Sequence, residues 1–567
     1  MTRARSSGPT RRRSDDGRTR AIACVFLGAA ALTVCLVGAG PVAADVGPGQ
    51  GSDPLDGGND TVEVVVRFDP VDDPNALGDA AGPPAVGADA DAAVADLREH
   101  TSAERTAFDS FAASRPGVTV ERAFWLASAL LVSADGDAAT AAELRAVENV
   151  TRVHPNVAVE PVGAPGAAGG PVSANAAADG STPSTRPQAA ADPAGPHADG
   201  LERIGVPTAW ERFDTRGAGA TVAVVDTGID PAHRDVALAG WASFDENGTL
   251  VGDDPADASD PTGHGTHVAG VVAGGNASGT HIGVAPAAEL YGIDAFGDDG
   301  TATFASVVAG MEHAAVAADA DVLQLSLGAN GTHAGFIGPV RNARATGTVV
   351  VAAVGNEGEN ASSSPANTYD AVAVGAVDGE RRVPAFSGGQ TVDAAAFGAY
   401  PDDWPARYVV PDATAPGVDV VSAEAETVDG YVRRQGTSTA APHVSGVAAL
   451  AVAATDGRAT APVLETAVVD TAVHPANATA PDDRYGRGVV DAPAAVGAAV
   501  AASPPEPPST DASNGANGSE DDGASGDGTD RGSGGADTSG RAPGLGVGTA
   551  LGALAVVLAV VRARGDR

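Results

Sequence analysis

The sequence predicts an α/β protein whose main domain holds a mostly parallel sheet covered on both faces, preceded by a small α+β unit. Three observations carry this. Between about 199 and 500, short apolar runs such as "TVAVVD", "DVLQLSLG", "TVVVAAVGN" and "AVAVGAVD" alternate with helical stretches such as "TFASVVAGMEHAAVAA". Strands this apolar are buried on both faces, as in a parallel sheet with crossover helices. Residues 60–162 differ: "TVEVVVRF" alternates as a strand, 88–114 has a helical period, and "AFWLASALLVSA" is strand-like. There "AAELRAVENV" follows as a helix and "TRVHPNVAVE" as a closing strand. Finally, 163–198 collapses into Ala, Gly, Pro, Ser and Asp without period, which is a linker.

The flanks complete the organisation. Residues 1–44 join an arginine-rich start, the run "AIACVFLGAAALTVCLVGAG" and "PVAAD", which reads as an export signal cleaved after Ala44. The same run is long enough for an uncleaved anchor. Whether "TRRR" directs twin-arginine or general export stays open. Residues 501–541 are a disordered, well-solvated stalk of Gly, Ser, Asp, Thr and Pro. Residues 542–567 carry "GLGVGTALGALAVVLAVV" and then "RARGDR", a C-terminal membrane or sorting segment with its arginines on the cytoplasmic side. The expected location is the outer cell surface.

Composition narrows the chemistry. Cys24 and Cys35 both lie in the export signal, so the mature chain has no disulfide, thiol nucleophile or thiolate metal site. The net charge is −39 and every basic residue is arginine, which excludes nucleic acid as a natural partner. An acidic, lysine-free chain rich in Ala and Val resembles proteins of salt-loving archaea. At 1 M salt the Debye length falls to about 3 Å, which relieves the self-repulsion of such a charge.

Three segments carry candidate chemistry. "VAVVDTGID" ends an apolar strand at Asp226, at the edge of a parallel sheet where such folds place their sites; a turn or helix-cap aspartate is the alternative. A single "DTG" does not make an aspartic protease, which needs two such loops. "GHGTHVAGVVAG" sets His264 between glycines at a helix start. His264 and His267 together suggest a metal, but the spacing is not that of zinc proteases. "GTSTAAPHVSG" places Ser438 in the first turn of a helix that tolerates Pro442 early, either as a nucleophile or as an ordinary N-cap. Its order Asp, His, Ser and Ala440 in place of a glycine separate it from the nucleophile elbow of other hydrolases.

Together these motifs resemble the subtilisin-like serine peptidases, over roughly residues 199–500. The resemblance implies a three-layer domain in which Ser438 is the nucleophile, His264 the general base and then acid, and Asp226 the group that stabilises the imidazolium. "VVVAAVGNEG" matches the oxyanion strand, with the Asn356 amide donating to the developing O⁻ beside the backbone N–H of Ser438. Ser326, Leu327 and Gly328 in "LQLSLG" would pair with extended substrate and wall the first pocket; Glu357 would lie near that pocket and Tyr291 near more distant subsites. No cofactor is implied for catalysis. Asp235 and Asn276 match positions that hold structural calcium.

Residues 45–162, with a folded unit from about 60, resemble the propeptide of the family. Its tail would lie along the active site as an intramolecular inhibitor, with self-cleavage between about Val162 and Gly200. The expected protein is a surface-tethered endopeptidase that cuts extended polypeptides through an acyl-enzyme. Two other readings are an inactive subtilase-fold binding module and a metallohydrolase using His264 and His267.

Overall fold

A computed structural model of the chain describes residues 61–71, 73–74, 77, 90–135, 138–163, 188–189, 195–297, 300–475 and 480–505. The segments read as export signal and as stalk beyond 505, most of the linker and the C-terminal apolar run lie outside these residues. Among the described residues, no helix is long and apolar enough to cross a membrane.

The N-terminal unit runs β1 (Thr61–Phe68), α1 (Asp91–Glu104), α2 (Thr106–Ser114), β2 (Val118–Phe124), β3 (Ala129–Asp135), α3 (Ala141–Arg145) and β4 (Val150–Pro155). Its sheet has the order β2-β3-β1-β4, all antiparallel. Alternation decides what each face does. Val64, Val66, Leu130 and Val132 pack with Phe108 and Leu144 into a core of the unit's own. Val65, Leu131, Phe124 and Leu126 face the other way and join the core of the main domain. A tail strand, β5 (Ala158–Pro161), leaves this sheet altogether. Beyond it comes β6 (Gln188–Ala189).

The main domain continues with α4 (Asp199–Arg203), α5 (Val206–Phe213), β7 (Thr221–Asp226), β8 (Leu238–Phe244), β9 (Leu250–Gly252), α6 (His264–Ala273) and β10 (Glu289–Asp294). Next are β11 (Ala302–Thr303), α7 (Phe304–Val316), β12 (Val322–Leu325), β13 (Leu327–Asn330), α8 (Ile337–Ala345), β14 (Val349–Ala353), β15 (Ser363–Ser364) and β16 (Val372–Val377). A hairpin β17 (Gln390–Asp393) and β18 (Arg407–Val410) leads to β19 (Ala413–Pro416), β20 (Val420–Ala423) and β21 (Tyr431–Arg434). The chain closes with α9 (Thr437–Ala454), α10 (Ala461–Asp470) and α11 (Ala492–Ala502).

Eight strands form the central sheet in the order β19-β16-β14-β12-β7-β10-β8-β9. All pair in parallel except β9, which is antiparallel to β8 at the edge. Along β7, Val222 and Val224 enter the core beneath α6, α9, α10 and α11, while Ala223 and Val225 enter the core beneath α7 and α8. β14 alternates likewise, with Val349 and Val351 on one side and Val350 and Ala352 on the other. Helix, sheet and helix therefore make the three layers that the apolar runs imply. The C-terminal edge of β7, next to the strands β10 and β12 that leave it in opposite directions, is where such a sheet opens a crevice.

Candidate active site

Asp226 is the last residue of β7 and His264 the first of α6, and although β8 and β9 intervene in the chain, the end of the strand and the head of the helix meet at that crevice. His264 Nδ1 donates to Asp226 Oδ1 over 2.6 Å, with both groups buried. The Thr227 backbone N–H donates to the same oxygen at 2.8 Å. With its proton held on Nδ1, the imidazole presents Nε2 as an acceptor, and that atom is buried without a hydrogen-bond partner among the described residues. Beneath the pair, Asp260 accepts from Thr227 Oγ1, from the Gly263 and Thr266 N–H groups and from Thr266 Oγ1 at 2.7 to 2.9 Å, tying β7 to the head of α6. Burial pushes its carboxyl above the ordinary range, although those hydrogen bonds oppose it.

Ser438 lies in the first turn of α9, which packs beside α6. It is buried, and no hydrogen bond joins its hydroxyl to His264 Nε2 in this structure. Catalytic hydrogen bonds of this kind commonly tighten only in the reacting complex. The hydroxyl's position is fixed by another convergence. A single point, where a Cβ on Gly436 would stand, lies 3.0 Å from Ser438 Oγ, 3.1 Å from Asn356 Nδ2 and 3.5 Å from the Val162 carbonyl oxygen. Gly436 also has φ +153°, which side-chain-bearing residues rarely adopt, and a Cβ there would crowd Ser438 Oγ and the Asn356 amide.

Asn356 follows β14 through Val354 and Gly355. Its Oδ1 accepts from the Thr437 N–H at 2.9 Å and from Thr437 Oγ1 at 3.1 Å, which leaves the amide NH₂ directed outward. That NH₂ donates to the carbonyl of Val162 at 3.2 Å and to that of Gly163.

The tail explains why Val162 is there. β5 is antiparallel to β13, with Pro161 opposite Leu327 and Glu160 opposite Gly328, and antiparallel to β11, with Val159 opposite Ala302. Just beyond it, the Val162 N–H donates to the Ser326 carbonyl at 2.9 Å. Ser326, Leu327 and Gly328 thus border an extended peptide on one side. The opposite border, β11, has no signal in the sequence, because a two-residue strand is too short for any periodicity. Glu357 stands by the same tail, and burial, with Glu160 adding to it, raises its carboxyl.

Tyr291 does not reach the tail. It sits within β10 and turns its phenol toward His313 Nε2 of α7 at 2.8 Å and the Trp241 carbonyl at 3.3 Å. The alternation of β10 sends that position under α7, which motif position alone does not reveal. Asp235 and Asn276 are brought close, because the Gly275 N–H bonds the Asp235 carbonyl. Yet Asp235 Oδ1 accepts from the Ala277 N–H at 2.6 Å and Oδ2 from Tyr431 at 2.7 Å, so its carboxylate closes the loop through protein donors. As arranged, this pair does not fit a calcium ion, for both oxygens already face hydrogen donors and the Asn276 amide is turned to His281. His267 commits Nε2 to the Val420 carbonyl at 3.0 Å. Among the described residues, no three His, Cys, Asp or Glu side chains gather as a metal site.

A sequence profile described as the subtilase family matches residues 217–488. Subtilisin BL of Lederbergia lenta is 37% identical over 251 residues, which is 44% of this chain and 82% of that protein. The chain belongs to the subtilase family. M-protease of Shouchella clausii (strain KSM-K16) is also 37% identical, over 58% of its length, and Subtilisin Savinase of Lederbergia lenta is 36% identical, over 82%. This subtilase is a serine endopeptidase that acts on polypeptides, and subtilase chemistry needs no cofactor.

Proposed function

We propose that this subtilase is made as a zymogen, that Asp226, His264, Ser438 and Asn356 are its catalytic groups, and that its first substrate is its own Val162–Gly163 bond. The observation that carries the reading is the hold on Val162: the N–H is on the Ser326 carbonyl at 2.9 Å and the C=O is on the Asn356 amide at 3.2 Å. Extended peptide bound by main-chain bonds on both sides, with one carbonyl at an amide donor, is how a substrate is presented for acyl transfer.

In the proposed step, Ser438 Oγ attacks the Val162 carbonyl carbon while His264 Nε2 takes the hydroxyl proton. The charge that develops on oxygen is held by Asn356 Nδ2 and the Ser438 N–H, and Asp226 stabilises the imidazolium. Breaking the C–N bond sends the proton from Nε2 to the Gly163 nitrogen. Water then cleaves the Val162 ester by the reverse route. Until it leaves, the N-terminal unit remains in the groove as inhibitor.

The outer flanks belong to the same proposal. The arginine-led run closed by "PVAAD" supports export, the apolar run before "RARGDR" supports surface tethering, and the net charge of −39 supports work in concentrated salt. Intact mass and N-terminal sequencing of the wild type and of Ser438→Ala test the central claim. A wild type beginning at Gly163, an uncleaved variant and fluorophosphonate capture of Ser438 are expected. Cleavage of the variant at the same bond without another protease, or an unlabelled Ser438, overturns it.

A further inference from the structure

Pro442 lies in the sixth position of α9, past the first turn in which proline costs nothing. An α-helix needs its N–H there to satisfy the carbonyl four residues back, which is that of Ser438. The nucleophile's own carbonyl therefore lacks the i+4 helical donor. It is met from the sheet: Ser326 Oγ donates to the Ser438 carbonyl at 2.8 Å.

The rest of the chain of bonds follows from counting protons. Ser326 has one hydroxyl proton, and the Ser438 carbonyl can only accept, so Ser326 Oγ is left to accept from its other neighbour. Gln324 Nε2 donates to it at 2.8 Å. This orients the amide, and Gln324 Oε1 then accepts from Ser445 Oγ. Ser445 lies seven residues after Ser438, on the same face of α9 two turns along. All three side chains are fully buried, at 0% exposure, so no water competes for these bonds.

We propose that Gln324 and Ser445 are positioning residues for catalysis, acting through Ser326. Neither touches substrate. Ser326 bonds the Ser438 carbonyl by its hydroxyl and the Val162 N–H by its carbonyl, so one residue sets the spacing between the nucleophile's turn and the bound peptide. Gln324 and Ser445 hold that hydroxyl on the Ser438 carbonyl, and the chain of bonds returns to the same helix at Ser445. The inference rests on the role proposed for Ser438.

The test uses enzyme matured from the full chain. Ser445→Ala is expected to lower kcat and the rate of fluorophosphonate capture about ten- to a hundred-fold with KM within two-fold, since small misplacements of a reacting group cost this much. Ser445→Cys, close in size and a weak donor, falls between, which serves if the alanine variant does not fold. Ser326→Ala combined with Ser445→Ala is expected to be no slower than Ser326→Ala alone. Thr455→Ala, which removes a buried hydroxyl bonded to the Ala451 carbonyl at the far end of α9, controls for stability and leaves kcat unchanged. Wild-type kcat in both Ser445 variants, or fully additive losses with Ser326→Ala, overturns the proposal. Failure of the wild type to be captured at all would instead count against the role of Ser438.

Discussion

At the residue scale, Asn356 shows how one amide can be aimed. Thr437 supplies two donors to Oδ1, and the NH₂ has then only the peptide carbonyls to serve. The donor is thus in place before charge develops, which is the condition for strong stabilisation. Asn356→Ala is expected to lower kcat by about 10²–10³ with KM little changed, as a steady-state assay on a peptide substrate would read. Full kcat in the variant would remove Asn356 from the oxyanion role. The residues proposed as catalytic are legible because Asp226, His264, Asn356 and Ser438 each sit in a glycine-marked motif that resembles one of the family's. Gln324 and Ser445 have no such frame, since a buried polar residue in an apolar strand or helix reads as noise until its partner across the fold is known.

At the element scale, the site depends on how closely α6 approaches β7. A Cβ on Gly265 would stand 2.0 Å from the Gly228 carbonyl oxygen and 3.1 Å from the Asp226 Cβ. Only glycine permits that approach. Gly265→Ala is expected to push the head of α6 away, break the 2.6 Å bond between His264 and Asp226, and cut kcat/KM at least a hundred-fold. A variant of wild-type activity would mean that the approach is not needed.

Elements with a strong period were the ones the sequence placed well, as "TVEVVVRF" became β1 and "TVAVVD" became β7. Three features were hidden. The helical stretch to 114 is two helices meeting at Arg105, a junction no proline or glycine announces. The apolar "AFWLASALLVSA" conceals a tight turn at Ser128, which takes φ +46° without being a glycine. "TRVHPNVAVE" is not one strand but two, β4 in the unit's own sheet and β5 in the groove, because the second half finds its partners in β11 and β13 rather than in its neighbour.

At the scale of the whole molecule, the contact between the two folded units contains a buried acid. Glu312 on α7 accepts from the Leu126 N–H at 3.0 Å, and Arg122 on β2 lies 3.7 Å from its other oxygen. Burial pushes its carboxyl up to about 7; the Leu126 and Trp125 N–H groups and the charges of Arg122 and Arg98 pull the other way. An acid raised on folding stabilises the folded chain fully below its ordinary value of 4.5, and that contribution is lost as pH rises from there through about 7. In the uncleaved Ser438→Ala chain, Glu312→Gln is therefore expected to flatten the decline in stability between pH 5 and pH 8, by up to a few kcal/mol in urea titrations. Parallel pH curves for the two chains would place the acid's influence elsewhere.

The groove has a consequence for kinetic order. β5 is flanked by β11 and β13, and the bond to be cut lies on the same molecule as the groups proposed to cut it. The proposed cleavage at Val162 is then a first-order event, expected to keep the same half-time when the precursor is diluted a thousandfold. A cut made by one precursor on another would instead slow in proportion to the dilution.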